Sequence, residues 1–172
     1  MGDLLFSANG RLGRNRFWQG LVILTVASVL ITAGSVMVNT AIGLLSIVLI
    51  FPYVCIYAKR LHDAGFTGWF VILIWFGSLI LNFMFGLFLG PFLSSPETVA
   101  MQEEIVERIN AGDVAGAMEG TELLSEKMLP LSLISTVLVN VSLALIVGSL
   151  RADPKANQYG PPPGHDTENT FN

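Results

Sequence analysis

Charged residues are missing from three long stretches of this 172-residue chain, and their absence argues against a soluble globular domain. No Asp, Glu, Lys or Arg occurs in residues 17–58, 64–96 or 128–150. Only 13% of all residues are charged, whereas soluble domains average about 25%. Apolar stretches of about 20 residues are typical of helices that cross a bilayer. The chain is therefore expected to be a membrane protein.

Cysteine and histidine are also scarce, and this limits the chemistry that the chain can perform. Cys55 is the single cysteine, which excludes an internal disulfide and a cysteine-rich metal site. A zinc site usually needs about three protein ligands, and the two histidines, His62 and His165, are far apart in sequence. No HExxH, GxSxG or paired-carboxylate pattern occurs. We expect no enzyme activity, no catalytic residue, no metal site and no cofactor.

The apolar stretches predict an all-α fold with four transmembrane helices in one membrane domain, residues 1–172. Strands are a poor alternative, because runs of this length lack the turn signals that would divide them. The expected helices cover about 17–38, 41–58, 69–93 and 129–150.

Basic residues are distributed unequally between the two ends of these four helices. Seven would lie at one end: Arg11, Arg14, Arg16, Lys59, Arg60, Arg151 and Lys155. Two would lie at the other: Arg108 and Lys127. The positive-inside rule then places both termini in the cytoplasm. Residues 152–172 are rich in Pro, Gly and Asn, and we expect a disordered cytoplasmic tail there.

Residues 94–128, between the third and fourth helices, form an acidic segment. It carries eight acids and two basic residues, a net charge of −6. Ser95 and Asp113 are suited to cap two short helices, so the segment predicts an acidic helical hairpin outside the cytoplasm. A solvated excursion and a surface for an envelope protein partner or a cation fit this composition. The acids are spread at helical spacing, however, and lack the tight alternating spacing of a calcium loop.

Two motifs that combine basic and aromatic residues lie beside the apolar stretches: GRLGRNRFW at 10–18 and KRLHDAGFTGW at 59–69. Asp63 in the second motif could pair with Arg11, Arg14 or Arg16 in the first and hold two cytoplasmic loops together. Gly65 and Gly68 would permit a sharp turn, and Trp18 and Trp69 would anchor the helices at the membrane surface.

These strings, with Phe6, Pro52 and NQYGP at 157–161, resemble a bacterial inner-membrane family, domain of unknown function 805. Thr67 and Phe70 depart mildly from its pattern, where serine and a second aromatic residue, often tryptophan, are usual. The acidic segment is longer than this resemblance leads us to expect. The resemblance implies a small multi-pass protein of the inner membrane, and it carries no established activity.

The residue types in the motifs also suggest lipid binding. Guanidinium groups of Arg14, Arg16 and Arg60 could hold a phosphate of an anionic lipid. A histidine beside an aspartate can act as a base or a metal ligand, but no nucleophile or further ligand accompanies them. The site residues are thus Arg11, Arg14, Arg16, Trp18, Arg60, His62, Asp63 and Trp69, as a headgroup site or as a clasp between the loops.

Asn82 and Asn140 are polar residues near the middle of the third and fourth predicted membrane helices. They are expected to hydrogen-bond to each other across the two helices, although intramembrane polar residues can also mark a transport pathway. The leading hypothesis is a structural or interaction protein that contacts anionic lipid, and the alternative is a small oligomeric transporter or channel. A homo-oligomer fits both hypotheses, and no nucleic-acid partner is expected.

Overall fold

The computed structural model describes residues 2–164, and in this range the chain is built from helices without a β-strand. Two 3-10 turns, Thr40–Leu44 and Gly68–Phe70, precede the third and fourth α-helices. The α-helices are α1 (Gly2–Phe6), α2 (Arg14–Met37), α3 (Leu45–Asp63), α4 (Val71–Leu93), α5 (Pro96–Asn110), α6 (Val114–Lys127) and α7 (Leu129–Ser149).

Four helical segments are long and apolar enough to span a membrane: Arg14–Met37, Thr40–Asp63, Gly68–Leu93 and Leu129–Ser149. The all-helical fold and the four candidate spans agree with the prediction. The end of the second span does not, because α3 continues to Asp63 instead of stopping near residue 58. Lys59 and Arg60 can remain in the helix because both side chains find partners inside the protein.

The membrane helices form a curved row with an opening on one side. α7 packs between α2 and α4, and α3 packs against α2. α3 and α4 are neighbours in sequence, but they make little contact with each other outside the turn that joins them. A cleft therefore separates α3 from α4.

The helices pack most tightly at the end of the bundle that carries the two motifs, here called the motif end. Phe17 on α2, Ile56 on α3 and Ala144 on α7 are completely buried there. Towards the other end, the first turns of α3 and most of α4 expose their apolar side chains. In a membrane protein, lipid covers such surfaces, so exposed leucine and phenylalanine side chains carry no penalty.

Two helices, α5 and α6, occupy the acidic segment and pack against each other. The Ser95 hydroxyl accepts a hydrogen bond from the Thr98 N–H at 3.2 Å, and the Asp113 carboxylate accepts one from the Gly116 N–H at 3.0 Å. Gly112 turns the chain between the helices with a φ of +79°. Each helix thus begins at a side-chain cap, which satisfies backbone donors that have no partner within the helix.

The first part of the tail is ordered, so the prediction of disorder was wrong for residues 152–164. Composition alone gave that prediction, but here the chain hydrogen-bonds to the motif end. The Asp153 N–H donates to the Asp63 carbonyl at 2.7 Å, and the Asn157 amide donates to the His62 carbonyl at 3.1 Å. The remaining residues of the predicted tail, 165–172, lie outside the described part of the chain, as does Met1.

Candidate functional site

A buried carboxylate at the end of α3 joins the two motifs. One oxygen of Asp63 accepts hydrogen bonds from the Nε and one terminal nitrogen of Arg11, at 3.1 and 3.0 Å. The other oxygen pairs with Arg60 at 2.5 Å. All three side chains are only 1% exposed. We call Arg11, Arg60 and Asp63 the clasp.

Arg60 also connects the clasp to the end of α7. Its second terminal nitrogen donates to the carbonyl of Gly148 at 3.0 Å and to the carbonyl of Leu150. Carbonyls in the last turn of a helix have no partner within the helix and carry partial negative charge, so a guanidinium group is well suited to cap them. One side chain thereby holds α3 and α7 together.

Arg11 connects the clasp to the tail. One terminal nitrogen donates to the Lys155 carbonyl at 2.7 Å, and the other contacts the Asp153 carbonyl. A hydrogen bond from the Lys155 N–H holds the pKa of the Asp153 carboxyl below its usual value, so this group is charged at neutral pH. Asp153 thus supplies a second negative charge near Arg11.

Two further hydrogen bonds, one of them between backbone groups, align the first motif with the second. The Leu12 N–H donates to the Lys59 carbonyl at 3.0 Å. The His62 Nδ1 lies 3.1 Å from the Gly10 carbonyl, a contact in which the ring nitrogen donates. The His62 ring also stacks on Tyr159 of the tail, with 3.7 Å between centroids and 5° between planes. His62 therefore contacts both the first motif and the tail.

Two glycines in the second motif allow the sharp turn that joins α3 to α4. Gly65 has a φ of +81°, a conformation that residues with a side chain rarely adopt. A Cβ atom on Gly68 would lie 3.0 Å from the His62 Nε2 and 3.3 Å from the Ala58 Cβ. The turn into α4 therefore passes directly over the end of α3.

Lys59 is a further buried cation at the motif end. Its ammonium group donates to the Leu4 carbonyl at 2.8 Å and to the Asp3 carbonyl, both in α1. The residue is 4% exposed. Lys59 therefore fixes the short N-terminal helix against α3.

The structure separates the predicted site residues into two groups. Arg11, Arg60, His62 and Asp63 come together, whereas Arg14, Arg16, Trp18 and Trp69 lie outside the clasp. Arg14 and Arg16 are exposed in the first turn of α2, and Trp69 is 77% exposed. The prediction that Arg60 could hold a lipid phosphate fails, because its guanidinium group is buried and bonded within the protein.

The predicted hydrogen bond between Asn82 and Asn140 is not formed. Each amide donates to the carbonyl four residues earlier in its own helix, Asn82 to Ser78 at 3.1 Å and Asn140 to Thr136 at 3.0 Å. A local acceptor of this kind requires no contact between helices. Both residues instead line a cavity within the bundle.

Three residues of the tail complete this site and were not among the predicted site residues: Asp153, Asn157 and Tyr159. The Asn157 carboxamide oxygen also accepts from the Tyr159 N–H at 2.9 Å, forming a tight turn that presents the tyrosine ring to His62. A signal was available, because the string at 157–161 is part of the family resemblance. The tail is also rich in Pro, Gly and Asn, and this composition led to the prediction of disorder instead.

The arrangement favours a structural role for the clasp. Removing one partner from a buried ion pair typically costs about 3–5 kcal/mol, because a charge remains without compensation. Within residues 2–164, no three His, Cys, Asp or Glu side chains lie close enough to hold a metal ion. The clasp bonds its charged groups to one another and to backbone carbonyls, so that they stabilise the motif end.

No curated protein and no solved structure matches this chain. One family model does, and its match covers residues 5–161. This range includes both motifs, all four candidate membrane spans and the NQYGP string that folds back onto the clasp. The chain therefore belongs to the family described as protein of unknown function, DUF805.

Proposed function

We propose that the protein is a structural or interaction protein of a bacterial inner membrane, and that its motif end binds anionic lipid headgroups. Three of the seven cations at this end, Arg11, Lys59 and Arg60, are engaged inside the protein. The exposed cations that remain are Arg14, Arg16, Arg151 and Lys155. Two of these cations, Arg14 and Arg16, lie together in the first turn of α2.

A surface cavity of about 580 Å³ beside the start of α2 carries this proposal. Its lining combines a cation, an aromatic ring that suits the membrane surface and apolar side chains: Leu4, Arg16, Trp18, Gln19, Val22 and Ile23. Arg16 would bind the phosphate, while Val22 and Ile23 would contact the start of the acyl chains. Each Lys or Arg near an anionic lipid surface contributes about 1 kcal/mol to binding.

Native mass spectrometry with phosphatidylglycerol tests this site. Arg16→Ala should lower lipid retention about fivefold, the loss expected for one cation near the headgroup. Arg151→Ala is the matched control, because Arg151 is exposed at the same end and lies outside the cavity. Equal losses in the two variants would show that binding follows general charge and would contradict a defined site.

The orientation that we propose places the motif end and both termini in the cytoplasm, and α5 and α6 outside. The seven-to-two distribution of basic residues supports it.

α5 and α6 also expose apolar residues such as Val106, Ile109 and Met118 beside their acids. We propose this face as a contact surface for an envelope protein, and site-specific cross-linking from Val106 should yield one defined adduct.

A small oligomeric transporter or channel is the competing proposal, and reconstituted liposomes distinguish the two. Solute flux that Asn82→Leu abolishes would favour transport and overturn the interaction role. The proposed role predicts phosphatidylglycerol binding without such flux.

We also propose that the protein is not an enzyme. A substrate that the purified protein converts would contradict this proposal.

A further inference from the structure

A second cavity, of about 300 Å³, lies inside the bundle and extends into the cleft between α3 and α4. All four membrane helices contribute to it, and it is distinct from the surface cavity at Arg16. Nine of its sixteen lining residues are polar, among them Tyr57 and Asn82. The other seven are apolar, among them Ile50 and Trp75.

Among residues 2–164, the lining offers hydrogen-bonding groups but no Asp, Glu, Lys, Arg or His. The Tyr57 residue is 3% exposed, and its hydroxyl is buried without a hydrogen-bond partner in the described structure. Asn82 is exposed and uses one amide proton within its own helix, which leaves a second proton for another acceptor. A buried polar group without a partner is costly, so a ligand that satisfied Tyr57 would be favoured.

The cleft determines what kind of molecule can reach these groups. Because α3 and α4 make little contact, the cavity is open sideways, and Ile50 and Trp75 at its border are 41% and 46% exposed. A lipid could place its head among the polar side chains while its apolar chains stay between the helices and the bilayer. A volume of about 300 Å³ is at the small end for a binding site and suits a head alone.

We propose that this cavity binds the head of an uncharged lipid that carries a free hydroxyl group. A charged head would lose its hydration without gaining an opposite charge, which is unfavourable within a membrane. A hydroxyl can both donate and accept, and the lining presents both amide and hydroxyl groups. The site is independent of anionic lipid binding at Arg16.

Fluorescence quenching of Trp75 tests the proposal directly, because this residue lines the cavity. Trp18→Phe and Trp69→Phe would leave Trp75 as the single tryptophan, since the chain has three. The probe is diacylglycerol with brominated acyl chains, added to the protein in phosphatidylcholine nanodiscs. We expect saturable quenching, whereas brominated phosphatidylcholine should quench only in proportion to its amount. The acetylated probe, which lacks the free hydroxyl, should bind more weakly.

Two variants connect the quenching to the cavity. Asn82→Leu and Tyr57→Phe should each weaken diacylglycerol binding about fivefold, as loss of one hydrogen bond predicts. Tyr57→Phe removes a hydroxyl that has no partner, so it should not unfold the protein. Phe83→Leu is the control, since Phe83 is exposed on α4 and outside the lining. Unchanged binding in both variants, or equal quenching by all three probes, would overturn the proposal. Arg16→Ala should leave this binding unchanged.

Discussion

Asp63 is the residue on which the motif end depends, because it compensates two buried guanidinium groups at once. Without its carboxylate, Arg11 and Arg60 would remain buried as like charges. Without Arg11, Asp63 would still be paired with Arg60. The two residues should therefore contribute unequally to stability, and their effects should not be additive.

A double-mutant cycle of Arg11→Ala and Asp63→Ala measures this dependence. Asp63→Ala should lower the free energy of unfolding in detergent by about 3–5 kcal/mol, because it leaves buried charges uncompensated. The double variant should lose less than the sum of the single variants, with a coupling energy of about 1–3 kcal/mol. Denaturant unfolding followed by circular dichroism gives these values.

Glu97 and Lys127 provide the matched control for that cycle. They form an ion pair at a similar distance, 3.0 Å, but their side chains are 67% and 43% exposed. Exposed pairs contribute about 0–1 kcal/mol, because water already solvates both charges. The coupling energy between Arg11 and Asp63 should exceed that of this exposed pair. Equal coupling energies would show that the clasp is not a buried unit.

At the scale of helices, the tail is a segment that contacts both motifs, through Arg11 of the first and Asp63 of the second. It passes beside Gly13, where a Cβ atom would lie 3.5 Å from the Cβ of Pro163. That separation is within the range that disulfides require. Cysteines at these two positions should therefore react with each other.

Oxidation of Gly13→Cys with Pro163→Cys tests whether the tail is docked, in a Cys55→Ala background so that no other thiol is present. We expect rapid disulfide formation in membranes, seen as a mobility shift on a non-reducing gel. Glu103→Cys with Pro163→Cys is the control, because Glu103 lies on α5 beyond the other end of the bundle. A tail that is free in solution would give slow and similar rates for both pairs.

The elements that could be predicted from the sequence are those that local patterns determine. Apolar length was enough for the four membrane helices, and Ser95 and Asp113 mark the starts of α5 and α6 as the structure has them. The end of α3 and the fold of the tail depend on contacts between distant segments, such as Arg60 with Leu150. A pattern within a short stretch of sequence cannot predict contacts between residues that are so far apart along the chain.

The same distinction applies to the site. Opposite charge indicated a pair between Asp63 and an N-terminal arginine, but it could not select Arg11 from Arg14 and Arg16. The choice depends on where each arginine lies relative to α2. Arg11 precedes α2 and reaches the clasp, whereas Arg14 and Arg16 lie exposed in the first turn of α2. Burial of Arg60 likewise follows from the position of α7.

On the scale of the whole molecule, the two ends of the protein differ in charge and in structure. The motif end is closed by the clasp, the tail and α1, and it carries most of the basic residues. The opposite end is acidic and consists of α5 and α6. Between the two ends, apolar helices with an open cleft face the bilayer. We propose that this polarity crosses a membrane, with the motif end in the cytoplasm.

Reporter fusions that are active only outside the cytoplasm test this claim most directly. A reporter after Asn172 and one inserted at Phe66, in the turn between α3 and α4, should both be silent. A reporter inserted at Gly112, in the turn between α5 and α6, should be active. Activity at Asn172 and Phe66 with silence at Gly112 would reverse the orientation, and equal results at all three positions would contradict the four-span arrangement.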